Sequence, residues 1–147
     1  GDEVRLINEL AIEWKLGNYS YLPSVTQGEY RDMLTQVDVG LFSLSAKHTS
    51  HNFPGKLLGY MVQSLPILGS VNQDNDLINL IQDNKAGFIS VNGDDEMFFE
   101  GAVKLYKNLE LRRKTGLAGN ALLHKEFAVT NAASIITEFF SGCNKNI

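Results

Sequence analysis

The sequence predicts an α/β fold in which helices flank a parallel β-sheet. Short apolar runs of strand length alternate along the chain with longer segments of helical periodicity. Strands separated by helices form βαβ units, in which the strands are parallel and the crossovers are right-handed. The 147 residues are enough for one hydrophobic core, and the apolar content of 44% is ordinary for a globular domain.

The first part of the chain predicts two helices and two strands. Apolar residues at helical spacing predict an opening helix that Gly17 closes. A strand at 19–22 and a helix at 28–36 follow. Residues 37–42 predict a strand that is buried on both faces, because nearly every position is apolar.

The second part predicts two more strands and ends in helices. The predicted strands are 66–70, which begins at Pro66, and 86–91. Residues 92–95 are typical of a helix N-cap. The predicted helices of this part are 55–64, 74–82, 95–109, 110–125 and 130–140.

The chain opens on a predicted helix, whereas a sheet of this type usually opens on a strand. We therefore expect one or two further strands upstream of residue 1. We also expect one domain over residues 1–128, followed by a C-terminal helix and tail over residues 129–147.

Composition argues against several classes of function. The net charge of −4 argues against a nucleic-acid partner. The single cysteine excludes an internal disulfide, and three histidines without ligand-like spacing argue against a bound metal. No apolar run approaches the roughly 20 residues that span a bilayer.

The segment from Asn52 to Gly69 is where the sequence points to chemistry. A polar loop at 43–52 leads into a helix that begins near Lys56, and helix N-termini bind anions through free backbone N–H groups. Gly55 would allow a phosphate to approach the backbone closely. A lysine opposes the helix dipole there, so an anionic ligand would explain its presence.

Simpler interpretations of the same residues remain open. Lys56 could be a solvated surface lysine, and Gly55 could serve only as a bend between loop and helix. Phe53 could belong to the core, and Asn52 could act as an N-cap. His51 could be exposed to solvent without a role. If it does bind the donor, we expect its imidazole to be neutral, because it would lie near a helix N-terminus.

Several segments, taken in order, resemble the donor-binding half of GT-B glycosyltransferases, and most closely the large retaining family 4. The Pro-x-Lys-Leu form at 54–57 is similar to the subgroup that assembles bacterial O-antigen and capsule, which includes N-acetyl-L-fucosamine transferases. The matching segments are Tyr21-Leu22-Pro23-Ser24-Val25, Glu29 to Leu41, Phe53 to Met61 with Leu65-Pro66-Ile67, Ala86 to Asp94, and Leu111 to Phe127.

The resemblance implies a Rossmann-like domain that forms the second half of a GT-B fold. It implies transfer of a sugar from a nucleotide diphosphate donor, with UDP as the expected nucleotide, to a lipid-linked acceptor that the other half would engage. The nucleotide sugar is a substrate, so no cofactor is expected. The implied location is the cytoplasm, with peripheral association at the inner face of the plasma membrane. This 147-residue stretch is expected to be inactive by itself.

The resemblance also implies two groups of donor-binding residues and assigns no catalytic residue. The family places glutamates where this chain has His51 and Gly59, so the carboxylate that usually binds the ribose hydroxyls is absent. Residues expected at the diphosphate and sugar are His51, Asn52, Phe53, Gly55, Lys56 and Leu57, of which Phe53, Gly55 and Leu57 would act through backbone N–H groups. Residues expected at the ribose and base are Gly59, Ser24, Val25 and Tyr30.

Two other functions remain open. A nucleotide-sugar epimerase with the same fold would need ionisable acid and base residues, of which the predicted loops offer few. A non-catalytic nucleotide- or protein-binding module would be compatible with the loss of both glutamates.

Overall fold

The computed structural model describes residues 3–47 and 53–143. The chain divides into two compact units, residues 1–32 and residues 33–147. The described helices and strands, in chain order, are α1 (Val4–Glu13), α2 (Gln27–Leu34), β1 (Gly40–Ser43), α3 (Lys56–Val62), β2 (Ile67–Val71), α4 (Leu77–Asp83), β3 (Gly87–Val91), α5 (Asp95–Lys107), α6 (Leu109–Glu126) and α7 (Val129–Cys143).

The first unit contains α1 and the beginning of α2. The predicted strand at 19–22 is wrong, because residues 19–26 form neither helix nor strand. A strand needs a neighbour to pair its backbone groups, and the described part of this unit contains no other strand. The segment is instead tied to α1 through Tyr19, whose hydroxyl donates to Asn8 Oδ1 at 3.1 Å.

The end of α1 and the start of α2 both have defined caps. The helix α1 ends at Glu13, earlier than Gly17 suggested, because Lys15 takes a left-handed conformation with φ of 53°. The N–H groups of Lys15 and Leu16 then bond back to α1 in a Schellman arrangement. At the start of α2, Thr26 and Glu29 form a reciprocal capping box. The Thr26 backbone N–H, and then its hydroxyl, hold the pKa of Glu29 below its usual range.

The second unit is built on a three-stranded, open parallel sheet in the order β1-β2-β3. Helices connect the strands, so the predicted α/β class with a parallel sheet is confirmed for the described residues. This architecture is consistent with a Rossmann-like fold. The domain boundary proposed at residue 128 stays a prediction.

Helices cover both faces of this sheet. On one face, α3 lies so close that a Cβ at Gly40 would overlap the ring of Tyr60. On the other face, α5 crosses at Gly101, where a Cβ would lie 3.0 Å from Phe88 and 3.1 Å from Leu68. The fully buried side chains between these layers are Leu57, Met61, Ile67, Val71, Ile81, Ile89, Leu105 and Leu122.

The first strand of the sheet differs from its prediction. It begins at Gly40 rather than Val37, and Leu41 is 57% exposed. Burial on both faces was therefore wrong, because β1 is an edge strand of the described sheet and buries only alternate positions. Asp38, expected inside the strand, precedes it and lies 3.6 Å from the guanidinium of Arg112.

None of the described helices combines the length and apolar character required to cross a bilayer.

Candidate functional site

The candidate site lies at the carboxyl end of the parallel sheet, where the chain leaves β1. Open α/β sheets bind ligands in the crevice beyond this end. The connection from Leu44 to Gly55, here called the β1–α3 loop, carries most of the residues that the sequence predicts for the diphosphate. The predicted residues His51 and Asn52 lie outside the described part of the chain.

The start of the β1–α3 loop is held by all three strands. The backbone N–H of Leu44 donates to the Ser70 carbonyl oxygen at 2.9 Å, which extends the pairing of β1 with β2 by one residue. The Leu44 carbonyl oxygen accepts from Asn92 Nδ2 at 3.0 Å, and the same nitrogen donates to Ser70 Oγ at 3.0 Å. Asn92 follows β3, so its amide links the carboxyl ends of the three strands.

The helix α3 is fixed at the other end of this loop. Its buried side chains are Leu57, Tyr60 and Met61. The Tyr60 hydroxyl donates to the Leu41 carbonyl oxygen at 3.0 Å, which ties α3 to β1. Asn120 Nδ2 donates to the Met61 carbonyl oxygen at 3.1 Å, which ties α3 to α6. The helix start at Lys56 is therefore held in a defined place relative to the sheet.

Lys56 is the first residue of α3 and its side chain is exposed. No ion pair of Lys56 occurs among residues 3–47 and 53–143. No side chain caps this helix start either. The arrangement leaves an ammonium group, accessible from solvent, beside the β1–α3 loop.

The neighbouring predicted residues differ in which of their groups are open to a ligand. Gly55 is exposed, and a Cβ there would meet nothing within 4 Å, which leaves the backbone open to a ligand. The Leu57 N–H donates to the Pro54 carbonyl oxygen at 2.9 Å, so that donor is already used within the chain. The ring of Phe53 packs against Phe127 with centroids 4.7 Å apart and anchors the end of the loop.

The residues expected at ribose and base fall in two places. Gly59 is half-buried in α3, three residues after Lys56, and these positions share a helix face. Ser24 and Val25 are exposed in the irregular segment of the first unit. Tyr30 is half-buried in α2. The ribose and base assignments stay predictions.

Asn92, Tyr60 and Asn120 were missed by the sequence reasoning, although they position the site. Gly40 carried a signal for Tyr60, because a glycine in a strand often marks the close approach of another group. The partner of Asn92 is 48 residues away in the chain, and no local pattern encodes that distance.

Apart from the candidate site, a concave surface lies near the amino end of β1, and the sequence did not predict it. It encloses about 440 Å³ between α5 and the exposed side of β1. Its lining includes Leu41, Leu105 and the ion pair of Asp38 with Arg112, and none of the predicted site residues.

Comparison of the chain with protein-family models, with curated proteins and with solved structures yields no match.

Proposed function

We propose that this chain is the donor-binding half of a retaining GT-B glycosyltransferase. It would bind a nucleotide diphosphate sugar, with UDP as the nucleotide, and serve transfer to a lipid-linked acceptor in bacterial O-antigen or capsule synthesis. The observation that carries the proposal is the exposed ammonium of Lys56 at the start of α3, which forms no ion pair with any described residue and follows the carboxyl end of β1. That end of a parallel sheet is where α/β domains bind nucleotides.

In this proposal the half described here would contribute to sugar transfer by electrostatic stabilisation of the leaving group. When the bond from the anomeric carbon to the leaving phosphate breaks, negative charge grows on the diphosphate. A lysine ammonium at the phosphate stabilises that charge, as cationic groups do in other transfers from phosphate. The resemblance further implies that the leaving phosphate assists in deprotonating the acceptor, so this half needs no dedicated base.

A non-catalytic nucleotide-binding module is the second candidate. Gly59 favours it, because the side chain that grips ribose in the resembling family is missing from α3. Both candidates require nucleotide binding, whereas only the first requires glycosyl transfer by the full-length protein.

The test is a calorimetric titration of the 147-residue chain with UDP, with GDP and with their sugars. We expect saturable binding of at least one nucleotide diphosphate, with UDP tighter than GDP. Absence of binding to all of them contradicts the proposal. Incubation of the full-length protein with the bound donor and a lipid-linked acceptor then separates transfer from binding alone, and epimerised sugar without transfer would indicate an epimerase.

A further inference from the structure

We propose that Asn92 is a site of spontaneous deamidation that the folded sheet protects, so that the modification requires the carboxyl end of the sheet to open. Asn92 precedes Gly93, and the 147 residues contain no other Asn-Gly pair. Glycine has no Cβ, so the backbone nitrogen that follows the asparagine is accessible for attack on the side-chain amide. No ligand takes part, and the site is therefore independent of the proposed function.

The reaction needs only the chain, water and hydroxide. Hydroxide removes the proton from the backbone N–H of Gly93, and the nitrogen attacks Cγ of Asn92. A bond forms between these two atoms while the bond from Cγ to Nδ2 breaks, and Nδ2 takes a proton from water and leaves as ammonia. Water then opens the cyclic imide at either of its two carbonyl carbons, which yields aspartate or isoaspartate.

The attacking nitrogen is open to solvent in the folded chain. Gly93 is exposed with φ of 92°, and a Cβ there would meet nothing within 4 Å. Its N–H has no hydrogen-bond acceptor among the described residues. Access of hydroxide to Gly93 therefore does not limit the reaction, and any protection has to come from the side chain that is attacked.

The side chain of Asn92 is held by hydrogen bonds to the ends of two strands. Its Nδ2 donates to the Leu44 carbonyl oxygen and to Ser70 Oγ, each at 3.0 Å. Its backbone N–H donates to the Val71 carbonyl oxygen at 2.8 Å. Because Nδ2 is the leaving nitrogen, ammonia cannot depart without breaking both of its hydrogen bonds.

The backbone that follows Gly93 is held as well. The N–H of Asp94 donates to the Val91 carbonyl oxygen at 3.0 Å, and its side chain accepts from the Met97 N–H at 3.0 Å at the start of α5. The ring of the cyclic imide includes the Gly93 nitrogen, so it would have to close between two anchored residues. Deamidation in the folded chain therefore depends on local opening of this junction.

The product does not restore the junction when it is ionised. A carboxylate at position 92 can only accept hydrogen bonds, and the Leu44 carbonyl oxygen is also an acceptor. The Ser70 hydroxyl can turn to donate to one carboxylate oxygen, but Leu44 loses the donor that it has in Nδ2. We therefore expect the modified chain to be less stable than the chain with the amide.

Mass spectrometry of the aged protein tests the protection. The 147-residue chain is incubated at mildly alkaline pH, folded in buffer or unfolded in urea, and the mass of the peptide that contains Asn92 shows replacement of its amide by an acid. We expect the reaction to be at least about tenfold slower in the folded chain, because two hydrogen bonds must break first. Equal rates in the two states, or no reaction in urea, would overturn the proposal.

The Ser70→Ala variant tests whether the hydrogen bonds of Nδ2 provide the protection. It removes one acceptor of Nδ2, so we expect about fivefold faster deamidation in the folded variant and no change in urea. The matched control is Asn84→Ala, which removes an amide-to-carbonyl bond of 2.9 Å to Leu80 in α4. With folding checked by circular dichroism, equal rates in the two folded variants would contradict a protective role for these bonds.

The Asn92→Asp variant carries the aspartate product and tests its effect on the fold. We expect urea to unfold it more easily than the unsubstituted chain at neutral pH. The difference should shrink at acidic pH, where a neutral carboxyl group can donate to the Leu44 carbonyl oxygen. Equal stability at neutral pH would show that the junction tolerates the carboxylate, contrary to the proposal.

Discussion

The reciprocal cap of Thr26 and Glu29 shows how a single pair of residues defines a helix start. Glu29 Oε2 accepts from the Thr26 N–H at 2.7 Å and from its hydroxyl at 2.8 Å. Thr26 Oγ1 in turn accepts from the Glu29 N–H at 3.3 Å. The pattern Thr-x-x-Glu is legible in the sequence, so this cap could have been predicted together with the helix that it starts.

The cap predicts a pH dependence with a definite sign. Because the folded pKa of Glu29 is lowered, its stabilising contribution is present above the unfolded pKa and is lost as pH falls through the folded value. We expect Glu29→Gln to be less stable than the unsubstituted chain at neutral pH, with a smaller difference at acidic pH, where the carboxylate of Glu29 becomes protonated. Urea unfolding at both pH values measures this, and a difference that does not shrink at low pH would contradict it.

The ending of α1 illustrates the residue-scale limit of sequence reasoning. Gly17 is the residue type that usually closes a helix, yet Lys15 takes the left-handed position. Leu16 can then bond back to the Ala11 carbonyl oxygen at 2.9 Å and complete the Schellman arrangement. The preference for glycine alone predicts an end of α1 that is too late. The hydrogen bonds that end the helix at Glu13 depend on all the residues of its last turn.

At the scale of elements, the packing of α6 against the connection from α3 to β2 depends on a glycine. A Cβ at Gly116 would overlap the Ser64 carbonyl oxygen, which is backbone and cannot turn away. A Cβ at Gly119, one turn along the same helix, would lie 3.7 Å from Ala86 at its closest, an ordinary contact. The two glycines therefore have opposite roles within one helix.

This contrast predicts opposite effects of the same substitution. We expect Gly116→Ala to destabilise the protein by about 1–3 kcal/mol, because α6 must move away from the backbone of Ser64. We expect Gly119→Ala to be neutral or to stabilise by up to about 1 kcal/mol, because alanine is the better helix former. Urea denaturation measures both variants, and equal effects of the two would show that α6 does not pack against Ser64 as described.

The strands show which elements could be predicted from sequence and which could not. The strands predicted at 66–70 and 86–91 agree with β2 and β3 to within one residue, because apolar runs bounded by turns identify buried strands well. The strand predicted at 19–22 is wrong, because its alternation of aromatic and polar residues does not say whether a pairing partner exists. The start predicted for β1 is too early for a similar reason. Its apolar residues suggested burial on both faces, and sequence alone does not show that the strand lies at the edge of the described sheet.

At the scale of the whole molecule, the sequence predicts the α/β class and the region of the candidate site, but not how the site is held. Lys56 and Gly55 follow from local pattern, because glycine and lysine at a helix start are visible in the chain. Asn120 and Tyr60 bond to carbonyl oxygens far from them in sequence. Their roles arise only when the strands and helices are assembled.

The assembled second unit places the exposed Lys56 near the carboxyl end of a parallel sheet, and the central claim is that this lysine binds a diphosphate. The most direct test is calorimetry of UDP binding to the 147-residue chain and to Lys56→Ala. The matched control is Lys107→Ala, which removes the same charge from an exposed position in the last turn of α5. We predict about tenfold weaker binding for Lys56→Ala alone, because it loses a charge-assisted contact. Equal affinity of all three proteins for UDP would contradict the account.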